Sequence, residues 1–483
     1  MKFDTKEFFR LSFIYTLVVA LPPMLNLIIR PLIEGDNLLN ASDFSQIEIA
    51  ETLISLAFIF TTFAMKIAIS RFYYDYVDNT RDYNKLISTV FNSILFRGVV
   101  LLVPAYLFQD QIGSLFSQEA LQDFGTYGFA AILIGVSRSI NVTAFALYRN
   151  EKKVRLFLTL GFGVGLLRSG FQLVGVFYYD MSFIGYVYGT LIGNWAISLI
   201  ILIYTYTRSG FHYDRKILRP VNKFAFPLFE YALFAWGINF ADRYFLESSP
   251  VALGIYSQAL ILGRGIDIVM QGIQGASQPE FFSMMKEGIE KNTEGIRRVS
   301  NVMMAQNQVL IGLAIIPAML YCLIFKTELQ YAAGFIAIVF ARYIPRMQYT
   351  VFSMPVYYEK KTKVFLWLNL GGLIVNLFLL YFLVPRYEAY GAITAILVSQ
   401  VLLAVGIYLY QKSVIKIPWN FSKLFSYPLF IVILTALLEV IKIKLGLDPF
   451  ITASIVVFAI FGSLLILYKN ELQTALQKIW KRS

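Results

Sequence analysis

Long apolar runs separated by short polar segments cover almost the whole chain. Each run approaches the roughly 20 residues that an α-helix needs to cross the hydrocarbon layer of a membrane. The pattern predicts about fourteen such spans. Their limits lie near 11–33, 48–69, 86–108, 124–148, 155–178, 182–206, 222–244, 252–275, 300–325, 330–356, 363–384, 389–411, 424–443 and 449–468. We therefore predict an all-α polytopic membrane protein.

Two polar segments about two hundred residues apart carry the same string, Glu-Lys-Lys, followed by similar apolar sequence. They are 151–160 and 359–368, and Arg138 and Arg346 precede them at the same distance. Both arginines lie inside apolar runs, where a charge is expensive in lipid and marks a functional position. The alternative is that Glu-Lys-Lys is only a common string of cytoplasmic loops.

A second match aligns 185–194 with 391–400, and both segments contain small residues that let helices approach closely in lipid. An even number of spans separates the matched segments, so the two halves have the same orientation, as in a parallel transporter repeat. The predicted domains are an N-terminal six-helix bundle at 1–210, a C-terminal six-helix bundle at 211–415, and a terminal helix pair with a cytoplasmic tail at 416–483.

Composition agrees with a membrane location. The chain has 483 residues, of which 58% are hydrophobic and only 15% are charged, whereas soluble domains carry about 25% charged residues. Residues 1–10 are too polar for the core of a signal peptide, so we predict that the first apolar run is retained. The single cysteine, Cys322, excludes an internal disulfide, and the single histidine, His212, lies in a polar segment. We expect neither a metal nor a cofactor.

The net charge of +12 reflects basic residues that concentrate in alternate connections. These connections lie near 2–10, 71–85, 149–155, 208–219, 286–298, 360–363, 412–416 and 469–482. Cytoplasmic loops of membrane proteins carry such an excess of Lys and Arg, so we predict that both termini are cytoplasmic. A membrane protein needs no nucleic-acid partner to explain this charge.

Several ionisable side chains fall well inside the predicted spans, where they normally face a bundle interior or a wet cavity. The candidate substrate-binding residues are Arg97, Arg138, Arg168, Arg264, Arg342 and Arg346. The candidate ion-coupling residues are Glu230, Asp267 and Glu439. The excess of arginine favours an anionic substrate, because a guanidinium holds phosphate through two hydrogen bonds.

Several alternatives apply to these charges. Arginines also snorkel to an interface or pair with a carboxylate, and the spacing of Arg264 and Asp267 allows a pair on one helix face. We expect Lys66, Arg30 and Arg243 to be ordinary interfacial anchors.

The sequence lacks a GxxxxGK[ST] phosphate loop, which disfavours an ATP-driven pump. The connections are also too short to build the large loops of a membrane glycosyltransferase or polymerase. We therefore predict transport and not catalysis.

Four short motifs carry a resemblance to a known family. They are Arg-Phe-Tyr-Tyr at 71–74, Asp-Arg-Tyr-Phe at 242–245, Gly-Ile-Tyr-Ser-Gln-Ala at 254–259 and Tyr-Gly-Ala-Ile-Thr-Ala at 390–395. Their order and spacing resemble the polysaccharide (O-antigen) flippase branch of the multidrug/oligosaccharidyl-lipid/polysaccharide exporter superfamily. The chain departs from that branch at 43–47, where the family often shows a Gly-Ile-Tyr-like string.

The resemblance implies a V-shaped pair of six-helix bundles that works by alternating access in the bacterial inner membrane. The implied substrate is an undecaprenyl-diphosphate-linked oligosaccharide, which the protein moves from the cytoplasmic to the outer leaflet for surface polysaccharide synthesis. The terminal pair of spans resembles that of lipid II flippases, whose essential arginines have no assigned match in this sequence. We expect a monomer, with a polysaccharide polymerase and other pathway proteins as candidate partners.

Other functions remain open from the sequence. A drug/cation antiporter of the same superfamily would need a cavity lined by carboxylates, and a lipid II-type flippase would share the diphosphate chemistry. A membrane scaffold or a polymerase is the non-transporting alternative, although a polymerase would need a large outer loop.

Overall fold

The computed structural model describes residues 21–35, 37–179 and 182–469. This part of the chain is helical, and its one β-feature is an isolated bridge between Glu34 and Leu39. The prediction of an all-α protein is confirmed. Many large apolar side chains, such as Phe378 and Phe458, remain exposed on the helices. Lipid would cover such surfaces in a membrane protein.

Seventeen α-helices are present in the described residues, together with a 3₁₀ segment, Glu328–Phe335, and a π-helical turn, Ser422–Ser426. The α-helices are α1 Leu21–Ile33, α2 Ala41–Thr62, α3 Met65–Tyr76, α4 Thr80–Leu107, α5 Gln109–Gly113, α6 Glu119–Gln122, α7 Phe124–Asn150, α8 Val154–Tyr179, α9 Ser182–Ser209, α10 Arg215–Leu246, α11 Pro250–Glu287, α12 Ile289–Cys322, α13 Ile336–Ala341, α14 Tyr343–Tyr358, α15 Lys363–Val414, α16 Tyr427–Leu445 and α17 Pro449–Leu467.

Eleven helices among the described residues are long and apolar enough to cross a membrane. One of them, α15, contains a non-helical residue, Glu388, with φ 44° and ψ −123°. This residue lies between the predicted spans 363–384 and 389–411. The predicted span 330–356 is divided into the 3₁₀ segment, α13 and α14, with a break at Arg342. The total of about fourteen spans stays a prediction.

Helix α2 begins seven residues before the predicted span 48–69 because a capping box defines its start. Asn40 accepts hydrogen bonds from the backbone of Ser42 and Asp43, and the Asp43 carboxylate accepts one from the Asn40 N–H. Such reciprocal bonds satisfy the free N–H groups of the first helical turn. The earlier start carries Glu51 ten residues into the helix, about 15 Å along its axis.

The two Glu-Lys-Lys strings form the same turn. The N–H of Lys153 donates to the Tyr148 carbonyl, five residues back, and the N–H of Lys361 donates equivalently to Val356. The middle lysines, Lys152 and Lys360, have φ of 56° and 57°. This is the Schellman ending of a helix, with a left-handed residue after the cap. The sequence repeat thus corresponds to a repeat of local backbone structure.

The chain divides into two compact units, Met1–Gly254 and Ile255–Ser483. In the first unit α8 packs along α9, and α7 packs against α2 and α9. Helix α10 also packs on α2, α3 and α4. In the second unit α14 packs on α15, and α12 packs on α14 and α17. The domain limits at 1–210 and 211–415 stay a prediction.

Close helix contacts in the first unit depend on the small residues that the sequence repeat contains. A Cβ atom at Gly189 would lie 2.2 Å from the Phe171 carbonyl oxygen, and one at Gly193 would lie 2.4 Å from the Cα of Arg168. The α8 and α9 backbones therefore touch at these glycines, as expected for helices that pack tightly in lipid.

Candidate anion-binding cavity

A cavity of about 460 Å³ lies inside the first unit. This volume is within the range of small-ligand sites. Helices α1, α2, α3, α7, α8 and α9 all contribute to its wall. Its lining includes the basic residues Lys66, Arg138, Arg149 and Arg168, and none of the described residues that line it is acidic. The cavity is therefore suited to an anion.

Arg138 extends from α7 and is held by a carboxylate on α2. Its Nη1 and Nη2 atoms donate to the two oxygens of Glu51 at 2.9 and 2.8 Å. The Arg138 side chain is 22% exposed and that of Glu51 is 12% exposed. Burial of an ion pair is costly unless its geometry is good, and this bidentate arrangement is the strong form. The pair fixes one cation at the cavity wall.

Arg168 reaches the same carboxylate from α8. Its Nη2 atom lies 3.2 Å from Oε1 of Glu51. The close contact between Gly193 and the Arg168 backbone lets α9 lie against this part of α8. The Nε atom of Arg168 is buried and has no hydrogen-bond partner among the described residues. One carboxylate thus serves two arginines, and Arg168 keeps donor capacity.

Two further cations of the cavity have no partner of this kind. Lys66 on α3 and Arg149 in the last turn of α7 are exposed side chains, and no described residue forms an ion pair with either. Asn141 also lines the cavity and is buried, and its Nδ2 atom lacks a hydrogen-bond acceptor among the described residues. These groups add unused donors and positive charge to the same space.

Two other arginines of the first unit are buried in pairs away from the cavity lining. Arg30 donates to Glu48 at 2.9 Å, and both side chains are 1% exposed. Arg243 is paired with Asp242 at 2.7 Å. We predicted Arg30 and Arg243 to be interfacial anchors, but their burial shows that they are interior ion pairs. The pair of Arg30 and Glu48 joins α1 to α2, whereas Asp242 and Arg243 are neighbours on α10.

Arg97 has neutral partners. Its Nη2 atom donates to Asn222 on α10 at 2.8 Å, and its guanidinium lies 4.5 Å from the centre of the Phe63 ring. Phe63 in turn stacks on Phe229 at 4.7 Å. Arg97 therefore connects α4 to α10 and does not line the cavity.

Two candidate arginines of the second unit, Arg342 and Arg346, lie beside Tyr343. Arg346 pairs with Asp267 of α11 at 2.9 Å. Arg342 donates to the Tyr343 hydroxyl at 2.9 Å. Arg264 is half-buried on α11, the helix that carries Asp267. The structure thus brings Arg346 to an acidic residue that we considered as a partner for Arg264.

The remaining ion-coupling candidates differ in their surroundings. Glu439 of α16 pairs with Lys442, and each side chain is 7% exposed. Lys442 also donates to the Gly334 carbonyl at 2.5 Å. Glu230 on α10 is half-buried, and it has no hydrogen bond or ion pair with another described side chain. Glu439 is therefore paired with a buried cation, whereas no described side chain pairs with Glu230.

A polar cluster outside the spans fixes the turn after α7. Glu151 accepts hydrogen bonds from Tyr83 and from Arg208, the latter at 2.5 Å, and Lys153 lies 2.9 Å from its carboxylate. Burial alone would raise the pKa of Glu151, but the hydrogen bonds from Tyr83, Lys153 and Arg208 outweigh it and hold the pKa below its usual value. The cluster ties α4 and α9 to the turn between α7 and α8.

A second cavity, of about 370 Å³, lies in the second unit beside the start of α12 and the end of α15. Lys412, Lys416 and Trp419 contribute to its wall. None of the residues that the sequence marked as sites lines it. Among the described residues, no group of three or more His, Cys, Asp or Glu side chains is placed to hold a metal ion.

Comparisons with known proteins bear on the fold. No protein-family model matches the sequence, and no curated protein matches it. The lipid II flippase MurJ, in an inward closed conformation, is 13% identical with a TM-score of 0.67, covering 95% of this chain and 99% of that one. An inward-facing multidrug resistance MATE family transporter of the MOP superfamily is also 13% identical, with a TM-score of 0.63, over 82% of this chain and 97% of that one.

A third structure is a MOP superfamily transporter from Pyrococcus furiosus, described by a reverse polarity of its binding pocket. It is 14% identical with a TM-score of 0.55, covering 84% of this chain and 94% of that one. At these identities the likeness concerns the fold. The chain has the fold shared by MurJ and MATE transporters, as the resemblance to the exporter superfamily predicted. The polysaccharide branch stays a prediction.

Sequence reasoning missed several residues that line the cavity and one that pairs with its arginines. It treated Lys66 as an anchor and did not consider Asn141 or Arg149, which line the cavity. It also did not consider Glu51, which does not line the cavity but binds Arg138 and Arg168. Asn194, which lines the cavity, belongs to the repeated segment 185–194. The available signal was the presence of acidic and amide side chains inside apolar runs, because buried polar groups require partners.

Proposed function

We propose that the protein is a flippase that moves an undecaprenyl-diphosphate-linked oligosaccharide from the cytoplasmic to the outer leaflet by alternating access. The observation that carries this proposal is the cavity of the first unit. Four basic side chains line it, and among the described residues one carboxylate, Glu51, touches two of them, so these five groups have a net charge of +3. A diphosphate is the part of such a substrate that this charge would bind.

The positive charge of the residues that line the cavity argues against a drug/cation antiporter. A site for a cationic drug needs carboxylates to offset the charge of the drug, and none of the described residues that line this cavity is acidic. Here the guanidinium of Arg138 presents a planar fork that matches phosphate. The Pyrococcus transporter with a pocket of reverse polarity indicates that pocket charge varies among proteins with this fold.

A lipid II-type substrate is the second candidate. The likeness to MurJ covers 95% of this chain, against 82% for the MATE transporter of similar TM-score. Lipid II and lipid-linked oligosaccharides share a polyprenyl diphosphate and differ in the sugar. Both substrates would therefore use the same basic residues, and the choice between them rests on the sugar.

The test is complementation at equal expression. Bacterial strains that lack either their polysaccharide flippase or their lipid II flippase receive the wild-type gene, Arg138→Ala, Arg346→Ala or the double variant. We expect restored surface polysaccharide from the wild type and reduced polysaccharide from the variants. Restoration of growth only in the second strain would favour the lipid II-type substrate.

A third arm measures uptake of a cationic dye in the same cells. We expect no difference between cells with and without the protein. Dye extrusion together with wild-type polysaccharide from the double variant would contradict the proposal and favour the antiporter.

A further inference from the structure

The two guanidinium groups of the cavity that are best suited to bind phosphate already donate hydrogen bonds to one carboxylate. Glu51 accepts both hydrogen bonds of the Arg138 fork, at 2.8 and 2.9 Å, and a third from Arg168 at 3.2 Å. Both arginines line the cavity and Glu51 does not. The carboxylate therefore takes the hydrogen bonds that an incoming phosphate would need.

Other polar groups of the cavity have no such hydrogen-bond partner among the described residues. The Nδ2 atom of Asn141, a residue that is 3% exposed, and the buried Nε atom of Arg168 lack acceptors among the described residues. Lys66 and Arg149 add two charges that no described carboxylate neutralises. A buried polar group without a partner is costly, so the donors of Asn141 and Arg168 favour a ligand with acceptor atoms. An anion with several oxygens would supply these acceptors.

We propose that Glu51 is a built-in counter-anion that competes with the phosphate groups of the substrate for Arg138 and Arg168. When the cavity is free, Glu51 neutralises and orients the two guanidiniums. When phosphate enters, its oxygens take over the hydrogen bonds, and the carboxylate turns aside. Glu51 thus weakens binding enough for release and excludes anions that cannot compete with it. This inference rests on the proposed function, because it assigns the role of Glu51 at the same cavity.

The competition makes an unusual prediction for a residue in a binding site. A residue that only positions the arginines would lower affinity when it is removed. A competing carboxylate would raise affinity, because its negative charge next to the site opposes the ligand. Charges within about 4–6 Å change a charge-dependent equilibrium by ten- to thousandfold. We expect at least about a tenfold gain in affinity for phosphate on removal of this charge.

The experiment measures binding of inorganic pyrophosphate to the purified full-length protein in detergent, at fixed ionic strength, by calorimetry. Wild type is compared with Glu51→Gln and with Asp78→Asn. The second variant removes the same charge from the exposed connection between α3 and α4. We expect Glu51→Gln to bind at least about tenfold more tightly and Asp78→Asn to bind as the wild type does.

Unchanged or weaker binding by Glu51→Gln in a protein that elutes and melts as a folded species would overturn the inference. If Glu51→Gln does not fold, Glu51→Ala gives the same test, since it removes the same charge with a smaller side chain. Tighter binding by Glu51→Ala supports competition, and unchanged or weaker binding contradicts it. Pyrophosphate binding does not require translocation. Tighter binding without any movement of lipid-linked substrate would therefore contradict the proposed function and leave this inference standing.

Discussion

The guanidinium of Arg138 and the carboxylate of Glu51 meet through two hydrogen bonds, at 2.9 and 2.8 Å, between α7 and α2. A related pair joins Arg346 of α14 to Asp267 of α11 at 2.9 Å in the second unit. Both arginines were marked by the sequence repeat, and each is neutralised by an acidic residue of an earlier helix in its own unit. The cost of a charge in lipid explains why neither stands alone.

The first prediction concerns the shape of the Arg138 side chain. Arg138→Lys keeps the charge but loses the fork, so one end of a phosphate loses a hydrogen bond. A hydrogen bond to a charged group contributes about 1.5–3 kcal/mol, and we expect the initial transport rate at low substrate to fall by about tenfold or more. Arg81→Ala, at an exposed position of α4, should transport as the wild type does. Equal rates for Arg138→Lys and wild type would exclude the fork from substrate binding.

The second prediction concerns acid stability and Glu151. The pKa of this carboxyl is lowered in the folded protein, so its ionised form stabilises the fold above the unfolded pKa, near 4.5. That contribution is lost as the pH falls through the folded pKa, below the unfolded one. Glu151→Gln should therefore lower the melting temperature at neutral pH and flatten its dependence on pH in the acid range.

Glu359 is the matched control for Glu151, because it occupies the same place in the repeated turn. It is exposed, and its carboxylate has no hydrogen bond or ion pair with another described residue. Glu359→Gln should leave the melting temperature within about a degree of wild type, since isolated surface charges contribute little. An equal drop in both variants would show that the Glu151 hydrogen bonds do not stabilise the protein.

The third prediction concerns Lys360, the residue with left-handed backbone conformation in the second Glu-Lys-Lys turn. Lys360 has φ 57°, a conformation that costs about 1 kcal/mol for a residue with a Cβ atom and nothing for glycine. Lys360→Gly should raise the melting temperature by a few degrees in detergent. Lys361→Gly, one residue later and not left-handed, should lower it slightly. A gain from Lys361→Gly instead would contradict the backbone geometry.

The fourth prediction separates the acidic residues inside the spans. Glu439→Gln leaves Lys442 buried without its counter-ion, which costs about 3–5 kcal/mol, so we expect a large loss of thermal stability. Glu230→Gln removes a carboxylate without a partner among the described residues, so we expect normal stability. Its transport rate should lose the pH dependence of the wild type. A normal pH profile for Glu230→Gln, measured in proteoliposomes, would exclude Glu230 from proton coupling.

Hydrophobic patterning predicted most of the fold because long apolar runs in lipid have little choice but to form helices. The predicted gap between the spans 155–178 and 182–206 matches the interval between the end of α8 at Tyr179 and the start of α9 at Ser182. Local hydrogen bonds and backbone breaks moved the limits of other helices away from their predicted positions. A capping box at Asn40 moved the start of α2 to Ala41, and the 3₁₀ segment and the break at Arg342 divided the span 330–356.

The candidate site was less accessible to sequence reasoning, since its partners are far apart in the chain. Arg138 and Arg168 were recognised from their depth, but Glu51 lies near the start of its predicted span, 48–69, and was not counted. The i,i+3 spacing of Arg264 and Asp267 allows a pair on one helix face, and the structure brings Asp267 to Arg346 on another helix. Spacing along one helix does not reveal which neighbouring helix supplies a counter-charge.

The most direct test of the account is movement of a fluorescent undecaprenyl-diphosphate-linked oligosaccharide across proteoliposomes that contain the purified protein. The rate is compared for wild type, the double variant Arg138→Ala with Arg168→Ala, and Arg81→Ala at equal protein content. We predict rapid movement with wild type and Arg81→Ala, and a rate close to protein-free vesicles with the double variant. Movement by the double variant at the wild-type rate would contradict the claim that this cavity binds the diphosphate.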